Sequence, residues 1–167
     1  MGEKEVRADA VIDVGILAVG LSRNPATDHC LEVIEDAVRG RIRALIPYTV
    51  VFGAHYILTR FYGVKPEEAN DLLQNLLLSQ RINWHGHIDK SSAENSLENT
   101  EKYDLDAWDG YILHLMEIDQ IRIIYTLDVE HFGKIDWIKA VNPSQTKKLG
   151  NFTASWKSAL KSKDLLY

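Results

Sequence analysis

The chain has a single cysteine, Cys30. No internal disulfide is possible, which fits a reducing compartment. Cys30 falls in a helical apolar stripe, where a free thiol is expected in the core. Glycine and proline are sparse, ten and four residues, which excludes a linker-like or disordered chain over most of its length. No apolar run approaches the ~20 residues that cross a bilayer. The opening Met1-Gly2-Glu3-Lys4-Glu5-Val6-Arg7 is charged and holds no signal-peptide core. It also lacks the sixth-position hydroxyl of a myristoylation signal. The expectation is a cytoplasmic protein with no membrane contact. A glycine-rich phosphate loop and a nucleophile elbow are both missing, as are internal repeats.

What remains is 167 residues, 46% hydrophobic and 26% charged, enough for one domain with a real core. The net charge of −5 argues against a generic nucleic-acid coat, but it is unevenly spread. Five lysines (147, 148, 157, 161, 163) against Asp164 give residues 144–167 a local +4, leaving −9 for the rest. Such a basic tail can touch a polyanion or be merely solvated. We therefore expect a main domain over residues 1–143 and a basic extension over 144–167. In the extension, Phe152, Trp156, Leu160 and Leu165-Leu166 suit an amphipathic helix that folds back, pairs with a second subunit or stays loose.

Along the chain, Ala8 to Asp13 is a mostly apolar run ending in an acid, the pattern of a buried parallel strand. Gly15 then permits a sharp turn into a short helix, Ile16 to Leu21. A turn at Asn24-Pro25-Ala26-Thr27 precedes a helix whose buried face carries Cys30, Leu31, Ile34, Ala37 and Val38. Ala44 to Pro47 is the second strand and Thr49 to Tyr62 a helix closed by Gly63. Pro66 with Glu67 and Glu68 opens another helix. Ile82-Asn83-Trp84 is a short strand, and Ser91 to Tyr103 a polar, exposed helix. Asp109 stands in the first turn of the helix that follows. Arg122 to Thr126 is a strand, Val129 to Phe132 one helical turn, and Trp137 to Val141 the last strand. Strands alternating with helices predict a three-layer α/β/α sandwich around a parallel sheet of about five strands.

In such sheets function gathers at the carboxyl ends of the strands, where Asp13 and Asp128 fall. A carboxylate there is costly unless paired, hydrogen-bonded or bound to a metal, and no basic residue adjoins these acids in sequence. Three converging carboxylates suit a hard divalent cation, Mg²⁺ or Mn²⁺. Such an ion can polarise a phosphoryl oxygen and activate water. Taken singly, each acid has a plainer reading: Asp13 and Asp128 as helix caps, Asp109 as a first-turn acid favoured by the helix dipole.

These motifs resemble those of the PIN domain, the fold of the VapC-type toxins and many RNA-processing nucleases. Asp13-Val14-Gly15-Ile16-Leu17 is similar to the family's opening Asp-x-Asn/Ser/Gly-x-Leu. Trp108-Asp109-Gly110-Tyr111-Ile112 resembles Trp-Asp-Ala-Leu-Ile, and Thr126-Leu127-Asp128-Val129-Glu130-His131-Phe132 resembles Thr-x-Asp-x-x-Phe. The ending Val141-Asn142-Pro143 also matches, so the resemblance spans Ala8 to Pro143. It implies an Mg²⁺- or Mn²⁺-dependent endoribonuclease with Asp13, Asp109 and Asp128 as metal ligands. Thr126 would orient the last acid or a bound water. RNA, an antitoxin protein and a second copy of the chain are the partners it implies.

Two positions depart from the pattern. Gly53 stands where Pro-x-x-x-x-x-Glu would place a glutamate ligand, and Val14 where Ser or Thr is usual. Asp106 is the supporting acid we favour, ahead of His55, which lies about 200° around the helix from Gly53. Arg39, Arg41, Arg43, Arg60 and Lys65, together with the lysine-rich tail, are the candidate RNA-binding residues. His85-Gly86-His87 is only a weak zinc signal. The alternative to a nuclease is a PIN-like module, catalytically weakened or silent, that binds RNA or protein. A phosphoacceptor receiver domain is disfavoured because no Asp ends the third strand.

Overall fold

The computed structural model describes residues 7–22 and 27–145. The turn at 24–26 and the apolar and basic stripe of the C-terminal extension lie outside the described residues.

Five parallel strands form one sheet: β1 (Ala10–Ile12), β2 (Ala44–Pro47), β3 (Asn83–His85), β4 (Ile123–Tyr125) and β5 (Lys139–Val141). Their order is β3-β2-β1-β4-β5. Ala10 pairs with both Ala44 and Ile123, so β1 is central. Every residue of β1 and β2 is buried, as continuous apolar runs covered on both faces require. Seven helices flank the sheet: α1 (Val14–Gly20), α2 (Thr27–Val38), α3 (Tyr48–Arg60), α4 (Pro66–Leu77), α5 (Lys90–Tyr103), α6 (Ala107–Ile118) and α7 (Val129–Phe132). The predicted sandwich of about five parallel strands is the one observed.

The strand order dictates where a ligand can sit. From β1 the chain steps outward to β2 and then β3, and right-handed crossovers put α1 to α4 on one face. It then returns past β1 to β4 through α5 and α6, which the same handedness places on the other face. The direction reverses between β1 and β4, and the crevice beyond the carboxyl ends of those strands is the topological switch point. Asp13 follows β1 and Asp128 follows β4.

Local chemistry explains the boundaries. Asp13 caps α1, its carboxylate accepting from the Val14 N–H. The sharp turn after β1 thus comes from this cap. Gly15 lies within α1 with ordinary space around it, 3.5 Å from Leu127, so a turn-making role for that glycine is not what the structure shows. Gly63 ends the α3 segment at φ +68°, a left-handed conformation that favours glycine. At the sheet edge, Tyr48 stacks on Trp84 with ring centroids 5.8 Å apart.

The polar helix α5 is largely exposed, as expected, but Ser96 and Asn99 are buried against α6. Asn99 Nδ2 donates to the Gly110 carbonyl at 3.3 Å. A Cβ on Gly110 would stand 2.4 Å from the Ser96 carbonyl oxygen and 3.0 Å from Thr100 Cγ2. The two helices therefore meet at near-backbone contact. This seats the N-terminus of α6, and with it Asp109. Gly110→Ala should lower the unfolding free energy by about 1–3 kcal/mol, measured by urea denaturation, despite alanine's better helix propensity. A neutral or stabilising result would show that α5 does not hold α6 in place.

Candidate metal centre

Asp13 is 6% exposed at the end of β1. Its N–H continues the ladder by donating to the Tyr125 carbonyl at 3.0 Å. One carboxylate oxygen accepts from the Val14 N–H at 2.6 Å, the other from the Thr126 hydroxyl at 2.7 Å. Thr126, fully buried, in turn accepts from the Asp128 N–H at 2.9 Å. One hydroxyl therefore ties the first acid to the backbone of the last. Thr126 therefore holds the last acid through its backbone, and the carboxylate it touches is that of Asp13.

Asp109 stands in the first turn of α6. Asp106 caps that helix, its carboxylate accepting from the N–H groups of Trp108 and Asp109 at 2.8 and 2.9 Å. Asp128 caps α7 through the His131 N–H at 3.4 Å. The His131 ring approaches as well, with Nδ1 3.0 Å from the second Asp128 oxygen. The caps read from single residues are real; Asp106 and Asp109 also line one cleft with Asp13, whereas Asp128 is not among its lining residues. His131 is a neighbour of Asp128 that sequence reasoning passed over. Its signal was the three-residue spacing from a capping acid into a one-turn helix.

The electrostatics are those of a crowded acidic site. Burial pushes the Asp109 carboxyl up to about 8, and Asp13, Asp106 and Asp128 add to the rise. Burial likewise raises Asp13 to about 6; its bonds from Thr126 and Val14 pull it back, while Asp106 and Asp128 push it further up. Four carboxyl groups thus act on one another, and among the described residues no Lys or Arg lines the cleft. Oxygen-only donors with surplus negative charge suit a hard divalent cation. Among the described residues, however, no three His, Cys, Asp or Glu side chains converge closely enough to enclose an ion. Such an ion would take no more than two of these carboxylates directly, with water in the remaining positions, as Mg²⁺ prefers.

The cleft itself, about 490 Å³, runs between α3 and α6. Asp13, Asp106 and Asp109 line it together with Phe52, Tyr56 and Trp108. These three rings are 71%, 49% and 60% exposed, so the acids lie beneath aromatic walls. Gly53 and Val14 also line it. A Cβ on Gly53 would meet Val14 Cγ2 at 2.9 Å. The two departures from the family pattern are therefore one feature: valine fills the volume that a side chain at 53 would need. His55 is not among the lining residues. His85 Nε2 turns to the His87 carbonyl at 3.0 Å, while His87 faces Asp89.

The predicted RNA-binding cations are not gathered at the cleft. Arg43 forms a two-bond pair with Asp9, and Arg41 and Arg39 pair with Asp36 and Glu35. Asp9 and Arg43 precede β1 and β2, so this cluster sits at the amino edge of the sheet, opposite the carboxylates. Arg60 ends α3 one turn beyond Tyr56, and Lys65 immediately precedes α4.

Several solved structures share this architecture. A toxin–antitoxin complex from Klebsiella pneumoniae matches at TM-score 0.58 and 17% identity, over 80% of this chain and 97% of that one. VapC20 from Mycobacterium tuberculosis, a sarcin-ricin loop cleaving toxin, matches at TM-score 0.61 and 13% identity, over 75% of this chain and 95% of its own. FitAcB from Neisseria gonorrhoeae matches at TM-score 0.56 and 13% identity, over 80% and 97%. The fold is PIN-like. No protein-family model and no curated protein matches the chain.

Two measurements follow from this geometry. Gly53→Ala should bring little or none of the ~1 kcal/mol that alanine normally adds to a helix, because Val14 occupies the space. In a Val14→Ala background that gain should reappear, giving a coupling of at least about 0.5 kcal/mol in a double-mutant cycle; additivity would mean the two residues do not share the volume. The second concerns pH. A carboxyl whose folded pKa is raised stabilises the fold below its ordinary value, and that contribution is lost as pH rises through the folded value. The metal-free protein should therefore lose stability between about pH 4 and 8, and Asp109→Asn should flatten that slope and be the more stable form at pH 8. An unchanged slope in Asp109→Asn would mean that the carboxyl is solvated.

Proposed function

We propose that the protein is a PIN-type endoribonuclease that hydrolyses RNA phosphodiesters with water, acting as the toxin of a toxin–antitoxin pair. The observation that carries this reading is the buried Asp13–Asp109 pair at the β1/β4 switch point, beside Asp106 and Asp128 and with no Lys or Arg among the described residues that line the cleft. The PIN-like fold supports it, and its structural neighbours include a toxin–antitoxin complex and the toxin VapC20.

Asp13 and Asp109 are the residues we assign to hold Mg²⁺ or Mn²⁺, with Asp128 and Asp106 acting from the outer sphere. When bound, the ion would polarise a phosphoryl oxygen and lower the pKa of a water. The remaining roles belong to the chain. Thr126 and the Val14 N–H favour ionised Asp13 and fix its direction. Asp106 aims the first turn of α6, so that Asp109 points into the cleft. His131 and its own N–H hold both oxygens of Asp128. The apolar rings around the acids restrict water and strengthen every charge interaction within. An antitoxin and RNA are the partners of this reading, and a homodimer through α3 and α4, where Leu78 is 77% exposed, is its assembly.

One observation favours a second reading, a PIN-like module that binds RNA or protein without cutting. Val14 packed over Gly53 replaces a possible fourth ligand with an apolar wall. The deciding experiment is cleavage of mixed RNA with Mn²⁺ and with chelator. The nuclease reading expects metal-dependent cleavage, reduced about 100-fold or more in Asp13→Asn and Asp128→Asn, with both variants folded. RNA binding without cleavage in the wild type would establish the binding module instead.

A further inference from the structure

The cleft has a composition that phosphate binding alone does not explain. Its floor is acidic, no Lys or Arg among the described residues lines it, and its walls are the exposed rings of Phe52, Tyr56 and Trp108. Phe52 and Tyr56 lie four residues apart on α3, so both rings stand on one face of that helix. A surface of this kind complements a segment that carries positive charge beside apolar side chains at helical spacing. The chain has such a segment. Within residues 146–167, Phe152, Trp156 and Leu160 recur every four residues, with Lys157 and Lys161 beside them and only Asp164 to oppose five lysines.

The segment also begins in the right place. β5 ends at Val141, paired with Tyr125, at the carboxyl edge that carries Asp13 and Asp128. From β5 to β1 is two strand spacings, about 10 Å. The 22 residues after Gln145 span about 33 Å as a helix, more than enough to cross that edge and enter the groove between α3 and α6. Charge favours the same encounter, a +4 segment on a −9 body.

We propose that residues 146–167 dock in the cleft of their own chain as an autoinhibitory segment. Phe152, Trp156 and Leu160 pack against Phe52, Tyr56 and Trp108, and Lys157 and Lys161 neutralise the carboxylates. The segment occupies the site that RNA would use, and high salt or a competing ligand releases it. The proposal needs the cleft to be as described but not the reaction assigned to it.

The test is photo-cross-linking in the full chain, with p-benzoylphenylalanine in place of Tyr56 and, as a control, of Leu78 on the surface beyond α4. Irradiation at low salt should join position 56 to peptides within 146–167 in a product of one chain's mass, with no such product from position 78. The yield should fall roughly fivefold in Lys157→Glu/Lys161→Glu and also at about 1 M salt, where charges are screened within about 3 Å. Three results overturn the proposal: no link from position 56 to the segment, a product of twice the mass, or a yield indifferent to the lysine substitutions. If the chain cleaves RNA, the double lysine variant should cleave several-fold faster at low salt. If no variant cleaves, the nuclease reading fails while the cross-link map still decides the docking.

Discussion

A carboxylate at 6% exposure, at the end of the central strand of a parallel sheet, is tolerated where hydrogen-bond donors satisfy it, and Asp13 is held on those terms. Two donors reach it, the Val14 N–H from its own helix and the Thr126 hydroxyl from the neighbouring strand. The second bond requires β1 and β4 to be adjacent, in register and level at their carboxyl ends, as the pairing of Ile12 with Tyr125 makes them. Thr126 then passes the constraint to the Asp128 backbone. The acidic site and the sheet topology are thus one arrangement seen at two scales.

The other half of the site arrives on α6, and glycine sets its position. Gly110 lets α5 approach to backbone contact at Ser96, so a helix with few apolar residues still buries a face. On the opposite wall Gly53 gives its volume to Val14. The two glycines act in different ways. The first brings a helix closer and fixes where Asp109 projects; the second withdraws a possible ligand and leaves an apolar wall between α3 and the acids. The cleft that results combines high charge on its floor with exposed aromatic rings above.

Much of this was legible in the chain. The strand at Ala44–Pro47 and the turn of helix at Val129–Phe132 match their predicted bounds, because unbroken apolar runs and capping acids are local signals. The order of the acids along the chain, each at a strand end or in a first helical turn, was equally local. Period and turn chemistry do not report on partners distant in sequence. They cast α5 as an exposed helix, which most of it is, but polar composition carries no sign that Ser96 and Asn99 would be buried against α6. They also grouped Arg39, Arg41 and Arg43 with the site by charge, whereas three ion pairs hold those side chains at the opposite edge of the sheet.

The sequence by itself determined a parallel α/β sandwich with acids at the carboxyl edge, because hydrophobic periodicity, caps and strand-end residues depend on near neighbours. Only the tertiary structure decided that Thr126 binds Asp13, that His131 faces Asp128, and that Val14 and Gly53 are a single packing unit. Each of these is a contact of a few ångströms whose existence depends on the relative placement of whole elements. That placement is set by strand order and by which helix pairs can approach closely, and the spacing of residues along one chain does not encode it locally.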